Sequence, residues 1–243
     1  MFTDKEIVAT GCSHTYGDFL NQHRENREEC HSRSWVKKLE KIAGFMGSSN
    51  LAFGGSSNMR SFRVIKEYVL NNLDNVHNKV VMIGLTEPIR FELPSQESAI
   101  INDDLTFTGT YTLNMIGPWQ INGGLNLDVQ TFINTYYGRF TVLEHTMNNL
   151  MLELVSMHTF LKSFGIEHYF LCMLVSKGSM IRPPIPLPII DFDGLPAIEY
   201  AKRKGFKVGK DLDPSIICNH LDHDGNEFLA HYIYERIKEM KNV

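Results

Sequence analysis

The chain predicts an open α/β sheet, mostly parallel, with helices on both faces. Three observations carry that expectation. Short β-prone runs at Glu6–Thr10, 80–85 and 169–174 alternate with stretches whose apolar residues recur at helical spacing. The run Val80-Val81-Met82-Ile83-Gly84-Leu85 is apolar throughout, as a parallel strand covered on both faces should be. The first strand stops at Gly11 and releases Ser13 into a small polar loop, at the carboxyl end of a strand where such folds expose functional side chains.

The composition bounds the rest. With 243 residues, 43% hydrophobic and 21% charged, the chain suits a single domain, residues 1–243, carrying insertions at about 91–140 and about 176–212. A net charge of -4 gives no global attraction to nucleic acid or to an anionic membrane, and the mixed run 24–33 reads as a solvated face. No apolar stretch approaches the roughly 20 residues that span a bilayer, and Met-Phe-Thr-Asp-Lys-Glu lacks a signal peptide's apolar core, so a cytoplasmic, soluble protein is expected. Cys12, Cys30, Cys172 and Cys218 are scattered as reduced thiols would be. Neither CxxC nor HxxxH spacing occurs among Cys12, His14, Cys30 and His31, so neither a metal nor a cofactor is expected.

Taken in order, residues 34–45 predict a helix with Trp35, Leu39, Ile42 and Ala43 on one stripe and Ser32 or Ser34 as cap. Residues 50–58 predict a short strand and a glycine-rich turn, in which Gly54 and Gly55 bring bare N–H groups over the strand ends. A helix over 58–73 follows, with Phe62, Ile65, Val69 and Leu73 on its core side. The first insertion predicts a β-hairpin or short helices lying over the strand ends, its aromatic residues forming a private core or a stacking surface. Residues 141–163 predict a long helix and 169–174 a core strand. The proline run 183–188 predicts an extended arm, a lid or an oligomer contact. Near the end, His220 lies on a loop from which a side chain can reach across the top of the sheet, before a helix through Leu229, Ile233, Ile237 and Met240. His14, His223 and Asp224 read as exposed loop or capping residues, and Glu87 with Arg90 as a pair that locks its loop or binds a polar substrate group.

Together these blocks resemble the SGNH, or GDSL, hydrolase superfamily, especially divergent members encoded by bacteriophages. Gly11-Cys12-Ser13-His14-Thr15 looks like the family's first block, with Cys12 in place of the usual aspartate, and the resemblance makes Ser13 the nucleophile. Residues 50–57 are similar to the second block, whose glycine falls on Gly55. Leu85-Thr86-Glu87-Pro88 stands at the third block with Glu87 in place of asparagine, leaving Asn58 or Arg90 as the remaining side-chain donor to an oxyanion. His220, followed by Gly225 and the last helix, matches the family's base, while Ile217 occupies the place of its aspartate. A backbone carbonyl, Asp213 or Asp222 would then orient the imidazole.

The resemblance implies a three-layer α/β/α flavodoxin-like fold and a serine esterase or deacetylase acting on a small or carbohydrate ester through an acyl-enzyme. Ser13 and His220 would do the chemistry, and Ser13, Gly55 and Asn58 would line the oxyanion hole. Two other readings stand beside it. One is a virion or assembly protein, or a homo-oligomer, that keeps the fold and works through its insertions. The other is an acyltransferase, which needs a lid that excludes water.

Overall fold

The computed structural model describes residues 2–17, 27–94, 100–101, 107–108, 113–116, 131–132, 134–137, 143–179, 183–212 and 219–242. At its centre is β1 (Glu6–Thr10), in which Ile7, Val8 and Ala9 are fully buried. It is paired in parallel on both edges, with Val8 opposite Ser49 of β2 (Gly47–Asn50) and opposite Val81 of β3 (Lys79–Gly84). The sheet continues through β8 (Glu167–Leu171) to β9 (Ile189–Ile190), giving the order β2-β1-β3-β8-β9, parallel throughout. The chain moves one way from β1 to β2 and back across β1 to β3. Right-handed crossovers therefore place α3 (Trp35–Ala43) and α4 (Asn58–Asn71) on opposite faces. The reversal also opens a crevice at the carboxyl ends of β1 and β3, the switch point at which open α/β sheets bind ligands.

Local chemistry explains the helices. Ser34 caps α3, its Oγ accepting from Lys37 N–H, and buried Trp35, Val36, Leu39 and Ala43 form the stripe that faces the core. Against α3 packs α8 (His223–Lys241), through buried Leu229, Ala230, Ile233 and Ile237. Ser57 caps α4, which buries Phe62, Ile65 and Val69. Packed on β8 is α5 (Leu143–Ser163), with Leu154, Met157 and Leu161 fully buried, each contributing about 1.5–3 kcal/mol of apolar burial.

Two expectations need correction. The second strand is Gly47–Asn50, not the more apolar residues 51–53, because an edge strand paired only to β1 tolerates half-buried serines while Leu51 to Phe53 are already turning over the sheet. The expected arm or lid is packed on the core from Leu187 onward, while Pro184 and Pro186 are exposed. Pro188 O accepts from Phe170 N–H at 2.9 Å, and Ile189 and Ile190 are buried in β9 as the sheet's far edge, where flanking prolines do no harm. Beyond it Phe192 stacks on Tyr232 of α8 at 5.0 Å, and α6 (Ala197–Arg203) buries Ala197, Ile198, Tyr200 and Ala201. A short α7 (Gly209–Leu212) precedes the last loop.

In the first insertion, β4 (Phe91–Pro94) pairs antiparallel with β7 (Leu113–Ile116), and β5 (Ile100–Ile101) with β6 (Phe107–Thr108). Phe91, Phe132, Tyr136 and Tyr137 pack ring on ring, with Phe91 and Tyr136 at 4.5 Å, and Tyr137 Oη donates to Ile89 O. These rings form an aromatic cluster anchored to the loop after β3, with Phe132 exposed and the others half-buried; Tyr111 and Trp119 lie outside the described residues.

Candidate active site

The turn that carries Ser13 is seated from below. After β1, Gly11 takes φ +151°, and Ser13 opens a single helical turn, α1 (Ser13–Tyr16), closed by left-handed Gly17, whose N–H donates to Ser13 O. Thr15 of that turn drops between Gly11 and Gly84. A Cβ on either glycine would stand 2.5 or 2.4 Å from Thr15 Oγ1, so both positions exclude larger residues. Ser13 is left at the switch point, largely buried at 9% exposure, with no described residue accepting from its N–H.

The second loop is strapped to this turn. Asn50 Nδ2 donates to Thr15 O at 2.7 Å, Asn50 Oδ1 accepts from Ala52 N–H, and Phe53 N–H donates to Gly11 O. Ser56 N–H closes a turn on Phe53 O in which Gly55, at φ +77°, holds the left-handed position that a type II turn reserves for glycine. Among the described residues nothing accepts from the Gly55 N–H. Phe53 stands on the rim, 48% exposed, with the Arg60 guanidinium 5.2 Å from its ring centre.

The third loop is held by Asn58. Its Oδ1 accepts from Thr86 N–H at 2.9 Å and its Nδ2 donates to Thr86 O at 3.0 Å, so its carboxamide acts first as a clamp between α4 and the residues after β3. Glu87 and Arg90 form an ion pair, and Thr86 Oγ1 donates to Glu87 Oε2. The guanidinium, 9% exposed, lies under the loop and lines a groove of about 360 Å³ between α4 and α5 together with Met59, Phe62, Phe91 and Leu150.

The last loop delivers His220. Gly209 N–H donates to His220 O, and Leu221 bridges Val208, which fixes the backbone on the far side of the crevice. The His220 ring lies 4.5 Å from the ring of His14, tilted by 42°. The His220 ring thus meets that of His14, Ser13's neighbour in α1, from near the other end of the chain. Asp222 is the N-cap of α8, its Oδ1 accepting from Gly225 N–H at 2.8 Å, while Asp213 lies outside the described residues.

Electrostatics follow from burial. His14 is held well below the ordinary histidine range, first by burial and then by His220 and Arg90, so it is neutral near pH 7. Burial likewise pushes the Cys12 thiol up, against the pull of the Arg90 charge. Cys12 caps α1 with its backbone while its side chain makes no capping hydrogen bond. His14 is therefore no exposed loop residue, and it is the member of the site that sequence reasoning missed. Its partner is remote in the chain, so no local pattern could flag it; Asn50 at least carried the signal of an asparagine before a tight turn. Among the described residues no three His, Cys, Asp or Glu side chains converge as a metal set, and no helix is long and apolar enough to cross a membrane.

No family model and no curated protein matches the chain. Solved structures do. The psychrotrophic esterase EstA from a Pseudoalteromonas species, in a structure inhibited by monoethylphosphonate, is 10% identical over 99% of this chain and 100% of its own, with a TM-score of 0.51. A putative lipolytic protein of the G-D-S-L family from Desulfitobacterium hafniense DCB-2 is 10% identical over 96% of this chain and 99% of its own, at a TM-score of 0.48. A mutant of Axe2, an acetyl-xylooligosaccharide esterase from Geobacillus stearmophilus, is 10% identical over 98% and 95%, also at 0.48. At such identities the likeness is one of fold: this α/β architecture resembles that of the esterase EstA.

Proposed function

We propose that the protein is a serine ester hydrolase of the SGNH type, with Ser13 as nucleophile and His220 as base, acting on a small or carbohydrate ester. The observation that carries this reading is the contact of His220 with α1, the turn that bears Ser13. In the reaction, His220 takes the hydroxyl proton as Ser13 Oγ bonds to the ester carbonyl carbon, and the carbonyl oxygen becomes an oxyanion. The N–H groups of Ser13 and Gly55, neither spent on a described acceptor, are the donors, joined by the second Nδ2 hydrogen of Asn58. Collapse expels the alcohol, which takes its proton from His220, and water then releases the acid and regenerates Ser13. The Glu87–Arg90 pair keeps the third loop in place during these steps.

The test is turnover of p-nitrophenyl acetate and acetylated sugars, with labelling by an organophosphonate. The expected results are a single adduct on Ser13 by mass spectrometry and loss of turnover in Ser13→Ala. Turnover unchanged by Ser13→Ala would sink the reading. One observation favours a second reading, in which the fold serves assembly. The aromatic cluster of the first insertion leaves Phe132 44% exposed, an apolar point for a partner. A monodisperse monomer by light scattering, with full esterase activity, would remove it.

A further inference from the structure

We infer that His14 is a positioning residue for His220: its ring is a wall that fixes the face of the base's imidazole. This rests on the hydrolase reading above and extends it. A carboxylate or carbonyl behind a catalytic histidine holds the ring by its edge, through one nitrogen, and leaves rotation about that hydrogen bond unopposed. Restraint of the ring plane needs contact on the face. Here the ring meets that of His14, 4.5 Å away between ring centres with the two planes inclined by 42°. His14 belongs to the α1 turn whose neighbour Thr15 is seated between Gly11 and Gly84, so the wall is built on a closely packed base.

The choice of imidazole over an aliphatic side chain has a physical reason. Among the described residues nothing hydrogen-bonds the buried His14 Nδ1, a costly arrangement for a polar atom that an aliphatic side chain would avoid. A neutral imidazole offers a polarisable, flat surface and a lone pair beside a partner that becomes an imidazolium during the reaction. A protonated one would repel that partner. The charged group that bears on His14 besides His220 is Arg90 of the third loop, paired with Glu87, and burial keeps His14 neutral beside them.

The experiment compares the intact protein with His14→Ala and His14→Phe, the second of which keeps a flat ring without the nitrogens. Turnover of p-nitrophenyl acetate and the NMR signals of the His220 ring protons are read for all three, with melting curves to confirm folding. The expected result is a kcat roughly tenfold or more lower in His14→Ala with KM within twofold, most of the rate restored in His14→Phe, and His220 ring signals that move in His14→Ala. The inference is overturned if His14→Ala keeps the full kcat, if both variants fold and lose kcat equally, or if the His220 signals stay where they were. If the intact protein turns over no ester, the hydrolase reading fails by itself, and the NMR comparison still decides the contact. Signals that move uphold the packing of His14 on His220, and signals that stay overturn it.

Discussion

The molecule contains two histidine pairs of opposite design. On the helical face, His168 of β8 is buried and spends both ring nitrogens, Nδ1 on Ile166 O at 2.8 Å and Nε2 on His158 Nδ1 at 2.9 Å. At the carboxyl ends of the strands, His14 and His220 meet ring to ring, and the buried Nδ1 of His14 has no hydrogen-bond partner among the described residues. A saturated pair can only hold structure together. An unsaturated one, set beside a serine with an unspent N–H, is less stable than it need be, and such a deficit is tolerated where polar capacity is used on something else.

The largest effect that would break this contrast comes from the same substitution in each pair. His220→Ala should lower ester turnover by at least about a thousandfold while the melting temperature stays nearly constant, because the loss falls on the reaction. His168→Ala should leave turnover within twofold and cost about 1–3 kcal/mol by chemical denaturation, because Ile166 O and His158 lose their partner. Equal effects of the two on turnover would erase the distinction.

A smaller effect is the dependence of stability on pH. Burial is the first cause holding His158 and His168 below the ordinary histidine range, and His14 is displaced the same way. Between the folded and unfolded values the unfolded chain binds more protons. The stabilisation is therefore complete above about pH 6.5 and is lost as pH falls below it. Urea midpoints should fall from pH 7.5 to 5.5, and His168→Ala should flatten that slope; a slope unchanged in the variant would assign it to other groups. The smallest effect concerns Asp222. Asp222→Ala should cost about 1 kcal/mol as a lost helix cap, and Asp222→Ser should regain it. Asp222→Ser that regains stability but not turnover would give Asp222 the His220-orienting role instead.

Legibility in the sequence followed the range of the interaction. Glu6–Thr10, the buried β3 and the Ser34 cap were readable because periodicity and capping are local. Serines in an edge strand were not, since β2 is a strand by virtue of β1 beside it, nor were Ile189 and Ile190 among prolines, which β8 recruits. Ser13, Gly55 and His220 were marked by the motif pattern, and in the structure the His220 ring meets that of His14, the residue after Ser13. Asn58 and Asp222 were assigned roles toward the reaction, and their first partners turn out to be Thr86 and Gly225, backbone contacts that spacing cannot reveal.

The two glycines under Thr15 give the site a height adjustment. Ser13 stands as high above the sheet as it does because two hydrogens lie where methyl groups would otherwise be. Any added carbon at residue 84, at the carboxyl end of β3, would meet Thr15 and be felt first as a displaced α1 turn and a parted ring contact, so the tolerances of the crevice are set by the floor beneath it.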